Sequence, residues 1–509
     1  MRLLAAIAAT AAFAIVAAPA GAQDFRPGSQ SLGDPLLPQI GNGGYDVRHY
    51  AIDLRYDPAS NRLEPGTHVD ITAVATQDLS RFSLDFQRDL AVSSVTVDGA
   101  AASSGRRDAK PRLSSRRKVT QPAKLVVTPP VGIPSGTQFT VTVEYSGEPQ
   151  PVIDADRSSE GWIRACSRPG ECDGSFTVNQ PIGTQGWLPC NNYATDKASV
   201  ETRITAPSTH VGLGAGELAE RADGPDGTTT WVWSEDSPTA PYLLSATVGR
   251  FDLEIGAMTE EGTGTTLPIY DAIDSASPPG RRTQVQNASD RAPAMLNFMA
   301  RRFGPYPFGS IGTVADWVPS IGYALENQTK PHFSGDEGGP VVQHGVLLHE
   351  IAHQWMGDSV SARRWSDLWF NEGWATFSEI YWESKFNEEA ESPRRFFQNV
   401  IRSGTENFEL APATLDGDPA NLFDGFATYS RPGAMIQGYR QIVGNRRFFA
   451  FAKQLTAEHA YATINRGTFI RKARAASGLR GRESRRLGAY FRQWLLREGK
   501  PKLRPSDFR

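Results

Sequence analysis

A chain of 509 residues is long enough for two or three domains, each with its own core. Apolar residues make up 39% and charged ones 21%, which excludes a disordered chain, and three cysteines exclude a disulfide-built scaffold. The formal net charge of −3 leaves no electrostatic footprint for nucleic acid. At the N-terminus Arg2 precedes an apolar run from Leu3 to about Ala18, and Ala20-Gly21-Ala22 follows with the small residues of a cleavage site. Residues 1–22 therefore read as a secretory signal peptide, cut near Ala22. The run is too short for a comfortable membrane span and no later stretch qualifies. A secreted or periplasmic protein without stable membrane insertion is expected.

Residues 23–44, rich in Pro, Gly and Ser, read as a flexible lead-in. From 45 to 256 the pattern is β. Apolar and polar residues alternate over 45–56, 68–75, 82–86, 90–97, 124–127 and 138–145, then over 199–205, 228–233 and 242–253. Gly, Pro and Asp turns separate these runs, which predicts one large antiparallel β domain. Within it, residues 105–118 hold seven basic residues against one Asp and read as a solvated hairpin loop. Cys166 and Cys172 sit close together in a Gly/Ser/Pro-rich stretch, where an oxidising compartment would let them pair. Cys190, in Trp187-Leu188-Pro189-Cys190, reads as a buried small hydrophobe.

Past Gly264 the period becomes mixed. Strands are expected at 266–273, 310–318 and 323–329, and one helix over 281–303 with Ala292, Met295, Leu296 and Met299 at helical spacing. The stretch 341–375 then carries the chemistry. His349-Glu350-Ile351-Ala352-His353 puts two histidines on one helical face, close enough to share a metal ion. Glu350 lies beside that metal position, where a carboxylate can take a proton from water. Glu372 follows after eighteen intervening residues, inside what reads as the start of a second helix. Two histidines and one glutamate leave the fourth position of zinc open, the mark of a catalytic rather than a structural site. Beyond 386 the pattern is mostly helical. In the basic segment 471–504, arginines flank Leu487, Tyr490, Phe491, Trp494 and Leu495, an amphipathic helix with a solvated basic face. The whole is α+β: a β domain over 45–256, then a metallopeptidase-like α/β lobe with a helical C-terminal part over 257–509.

The region around His349 resembles the gluzincin aminopeptidases, the family of aminopeptidase N and the leukotriene-hydrolysing bifunctional enzymes. A second motif carries the resemblance: Gly322-Tyr323-Ala324-Leu325-Glu326-Asn327 is similar to the family's Gly-Ala-Met-Glu-Asn exopeptidase signature. The resemblance implies an edge strand here that pairs with the substrate backbone through Gly322, Tyr323 and Ala324. It also implies that Glu326 holds the free α-amino group. Tyr323 stands where the family usually has Gly, so the first side-chain pocket is expected to differ in width. Tyr429, in Thr428-Tyr429-Ser430-Arg431, resembles the tyrosine that donates to the oxyanion. Gln180, in Asn179-Gln180-Pro181, matches a Gln or Glu that reaches from the β domain to the substrate amine. Glu379 matches a carboxylate that orients a ligand histidine, and Asn371 stands beside Glu372 in the same supporting position.

The resemblance covers about residues 45–500 and implies a single zinc ion held by His349, His353 and Glu372. The expected reaction is zinc-dependent removal of N-terminal residues from peptides with a free amine. Larger relatives continue with a β module and a long helical domain absent from this sequence. Two other readings stay open: an open-cleft endopeptidase or epoxide-hydrolase-like enzyme, and a catalytically silent peptide-binding protein.

Overall fold

The computed structural model describes residues 24–112, 119–334 and 344–508. The expected signal segment, and the end of the basic stretch at 113–118, lie outside the described residues. Alternation builds the N-terminal half. In Tyr45–Asp57, His68–Ala75 and Gln138–Ser146 nearly every second side chain is buried, because successive side chains of a strand face opposite sides of the sheet. These strands lie at the centre of a nine-stranded sheet. Its inner face shares one core with a four-stranded sheet containing Leu79–Asp85 and Ala123–Thr128: Ile52, Leu54, Ile71 and Val143 meet Phe82, Leu84, Leu125 and Val127.

Several expectations are corrected here. The domain is not wholly antiparallel: Ala198–Pro207 runs parallel to Tyr45–Asp57, with Ile204 opposite Leu54. Period-two alternation fixes which face is buried, not the direction of the neighbour. The lead-in is not loose either. Arg26–Pro27 pairs with the strand containing Leu79, Leu36, Leu37 and Ile40 are buried, and Asp34 accepts hydrogen bonds from Tyr193 and the Trp365 backbone. The Gly/Ser/Pro-rich stretch around the cysteines is a hairpin, Ser159–Arg168 against Glu171–Val178, and a disulfide joins Cys166 to Cys172 near its tip. The run at 242–253 is split. Ala246–Gly249 pairs in the hairpin's sheet, whereas Phe251–Thr259 pairs with Thr266–Asp274 in the next one.

The catalytic-type lobe opens on a five-stranded sheet whose edge is the short strand Ala324–Leu325, bonded to His332–Ser334. Only these two residues of the run expected at 323–329 are strand. The expected single helix at 281–303 is two, Pro279–Ser289 and Ala292–Phe303. Pro293 has no N–H to continue the first helix, so the chain restarts there. Helices His344–His353 and Trp369–Phe386 pack together through Leu347, Leu348, Ile351, Trp374 and Phe377 in one large core. In the C-terminal helix Gly481–Leu496 the residues Leu487, Tyr490, Phe491, Trp494 and Leu495 are buried, as amphipathic spacing requires. Cys190 is fully buried. Among the described residues no helix is long and apolar enough to cross a membrane.

The two halves are bonded through polar groups as well as packing. Leu325, Val318 and Ile321 close against Ile163, Phe176 and Val178 of the hairpin. Lys197 donates to the Asp358 and Ser359 carbonyls, and Thr247 meets His332 at 2.9 Å. This seam carries the edge strand to the site.

Candidate metal centre and active site

The metal position follows from two helices. His349 and His353, four residues apart on His344–His353, present Nε2 atoms to one carboxylate on Trp369–Phe386. Glu372 Oε2 lies 3.2 Å from His349 Nε2 and 3.3 Å from His353 Nε2. Ligands about 2.0–2.1 Å from a tetrahedral zinc stand roughly 3.3 Å apart. The two histidine–carboxylate distances are thus already those of such a site, and the three ligand atoms all lie within 4.8 Å of one another. The donor set also suits zinc: two imidazoles and one carboxylate, with one position left open.

The supporting contacts orient both rings. His349 Nδ1 is 3.3 Å from Glu379 Oε2, and His353 Nδ1 is 3.3 Å from the Met356 carbonyl. Each ring can donate outward and keep Nε2 for the metal. Gly357 sits at φ 156, and a Cβ there would come 2.8 Å from His353 Nδ1, so the chain can leave the helix this close to a ligand only as glycine. Burial depresses the His349 pKa, but the hydrogen bonds to Glu372 and Glu379 reverse this and leave it raised. Burial pushes Glu372 up, and the charges and hydrogen bonds of His353 and His349 outweigh it, holding the carboxyl down to about 2. The carboxylate that a metal needs is therefore ionised across the working range.

Glu350 and Glu326 stand beside this group. Their carboxylates and His353 bring ligand-type atoms within 4.8 Å of one another, and both side chains are buried. Burial lifts the Glu350 carboxyl to about 7, with His349 and His353 pulling it down; a cation in the cradle adds to that pull. A carboxyl poised near neutrality suits a group that accepts and returns a proton. Glu326 leaves the edge strand at its end and accepts a hydrogen bond from Gln180 Nε2 at 2.9 Å. These residues are 146 positions apart, one from each half of the molecule.

Tyr429 lies in a short π-helical turn, Gly425–Ser430, with its ring 6.2 Å from that of His349 and inclined at 29°. Burial, then the charges of Glu372, Glu326 and Glu350, hold its phenol well above the ordinary value. It stays protonated and so keeps an O–H to donate. Tyr429, Gln180, Tyr323 and Ala324 line one cavity of about 230 Å³. Tyr323 donates to the Ser159 carbonyl at 2.7 Å, which ties the edge strand to the hairpin.

Two expected residues sit differently. Asn371 accepts from the Ala362 backbone N–H at 3.1 Å, so it fixes the turn between the two helices rather than a ligand histidine. Gly322 has nothing within 4 Å of an added Cβ and precedes the strand rather than belonging to it. One residue escaped the sequence reading. Gln354, next to His353, donates to the Glu326 carbonyl at 3.3 Å and accepts from the Thr329 N–H at 2.9 Å. It clamps the segment that carries Glu326 onto the metal helix. Thr329 holds a left-handed φ of 68°, a strained turn kept in place by that clamp. The only sequence signal for Gln354 was its position beside a ligand.

Comparison with known proteins agrees with this geometry. The family model described as "Peptidase family M1 domain" matches residues 341–494. Endoplasmic reticulum aminopeptidase 1 of Homo sapiens is 22% identical over 346 residues, covering 64% of this chain and 35% of its own. Aminopeptidase M1-C of Oryza sativa subsp. japonica is 26% identical over 57% of this chain and 33% of its own. Leukotriene A-4 hydrolase of Xenopus laevis is 22% identical over 82% and 66%. The chain spans about a third of the length of the human and rice relatives. In fold, the crystal structure of an M1 zinc metallopeptidase from Deinococcus radiodurans superposes with a TM-score of 0.76 at 24% identity, over 92% of this chain and 97% of that one. The zinc-spaced His349, His353 and Glu372 thus lie on two helices within the segment, residues 341–494, that matches the peptidase family M1 domain.

Proposed function

We propose that this chain is an exported zinc aminopeptidase that hydrolyses the first peptide bond of peptides with a free N-terminus. One observation carries the reading: the Gln180–Glu326 pair stands beside Glu350 and the His349, His353, Glu372 group. A carboxylate fixed at that place is a ruler, since an ammonium bound to it leaves only the first peptide bond within reach of the metal position. His349, His353 and Glu372 would hold zinc, which when bound would supply a Lewis acid for the attacking water and the scissile carbonyl. Glu350 takes the proton from that water and returns it to the leaving amine. Tyr429 donates to the developing oxyanion. The edge of Ala324–Leu325 offers its free backbone groups to the substrate chain.

The relatives named aminopeptidases favour this reading, as does a mutant of the Deinococcus radiodurans fold neighbour bound to a Tyr-Ser-Ala substrate. Export is supported by the leader-like pattern at 1–22 and by the Cys166–Cys172 disulfide, a bond kept in oxidising compartments.

An aminoacyl reporter and its N-acetylated twin test the proposal. The free-amine reporter should be cleaved far faster, with activity lost on chelation and regained with Zn²⁺. Equal rates on the two reporters would make the enzyme an endopeptidase, and no hydrolysis of either by zinc-loaded protein would leave a peptide-binding protein.

For Tyr429→Phe, kcat should fall by about a hundredfold with a smaller change in KM, because the phenol is used only as charge develops. Steady-state kinetics on the free-amine reporter give the answer; an unchanged kcat would reduce Tyr429 to a packing partner of His349.

A further inference from the structure

We propose that Asp156 makes this site favour substrates whose N-terminal residue carries a cationic side chain, arginine or lysine. The proposal rests on the aminopeptidase reading and names its substrate class. One cavity is lined by Gln180 and Tyr429 and also by Asp156 and Ser158. Gln180, the hydrogen-bond partner of Glu326, lines this cavity, so a substrate amine bound by that pair would place its first side chain in the space that Asp156 also lines.

Tyr323, Leu325 and Phe423 line the same cavity. They suit the alkyl stem of a long side chain, and two of them offer aromatic faces to a cation. Asp156 is exposed, and its Oδ1 accepts the Ser158 backbone N–H at 2.7 Å, which holds the carboxylate in a local turn. Tyr429 and Tyr323 line the same cavity as Asp156, and its charge adds to the burial that raises both phenols.

Two further acids belong to the same segment. Burial pushes Asp154 up to about 7 and Glu160 well above its ordinary value. Both are buried, and Glu160 is occupied by the Ile182 and Gly183 N–H groups. Asp156 is therefore the acid of this segment that meets the cavity. Its neighbour Arg157 is exposed and is not among the residues lining the cavity. An apolar first residue also fits these walls. A carboxylate among them adds an attraction that only a cation can use.

The test compares an arginyl reporter with its citrullinyl counterpart, which has nearly the same shape and no charge. In the zinc-loaded wild-type protein kcat/KM should favour arginyl by about tenfold, as suits a charge pair that keeps part of its solvent. Asp156→Asn should bring the ratio close to one. Asp156→Lys should turn the site toward glutamyl over glutaminyl reporters, a gain that misfolding cannot produce. Binding gives an independent readout: L-arginine should raise the Tm of Glu350→Gln protein more than L-citrulline does, and Asp156→Asn in that background should erase the difference. A wild-type ratio near one, or an arginyl preference that survives Asp156→Asn, would overturn the proposal. Norleucyl reporters separate it from the reading beneath it. If free and acetylated norleucyl reporters are cleaved equally, the aminopeptidase reading has failed. If only the free one is cleaved and arginine gains nothing, the failure belongs to Asp156.

Discussion

Glu350→Gln is expected to lower kcat by about 10³- to 10⁴-fold while the protein still binds zinc. The amide keeps the shape of the side chain but cannot accept a proton. His349, His353 and Glu372, which form the cradle, are untouched, and their orienting contacts to Glu379 and the Met356 carbonyl do not pass through Glu350. Zinc content and turnover should therefore separate in one preparation. The variant should also hold substrate, since Glu326 and Gln180 remain paired. Metal analysis beside steady-state kinetics makes the measurement, and near-normal turnover with zinc in place would remove Glu350 from proton transfer.

Glu326→Ala should act on a different quantity. A free α-amine is a cation, and the partner proposed for it, Glu326, is a buried carboxylate held by Gln180 through its side chain and by Gln354 through its backbone carbonyl. Removing that carboxylate should take about 2–4 kcal/mol from kcat/KM, or roughly 30- to 1000-fold, on free-amine reporters. Part of the loss is the cost of an ammonium left without its counter-charge. Acetylated reporters never use the contact and should lose little from a rate that is already low. The ratio between the two reporters is the informative number. Equal losses on both would mean that Glu326 only supports the edge strand.

Much of this site was legible before any fold was known, and the reason is local. Histidines four apart share a helical face whatever surrounds the helix, so His349 and His353 could be read as a ligand pair directly. Glu372 could be placed on its own helix, and Tyr45–Asp57 could be read as a half-buried strand, because period and face are properties of a few neighbouring residues. The same locality explains the misses. Pro293 restarts a helix that apolar spacing alone ran through, and the cysteine-bearing hairpin hid its strands among turn residues.

The sequence by itself determined the His349, His353 and Glu372 metal-ligand set, the placement of Glu350 beside it and the β-then-mixed order of the chain, since each is written in short-range spacing. Tertiary structure alone decided that Gln180 meets Glu326 across 146 residues, that Gln354 clamps the segment carrying Glu326, and that Asn371 serves a turn instead of a ligand. It also decided that Asp156 lines one cavity with Gln180 and Tyr429. These placements depend on which strand edges pair and which faces pack over long separations. Local periodicity carries no information about them, because the same alternation or amphipathic stripe serves many partners and only the closing of the whole core selects one.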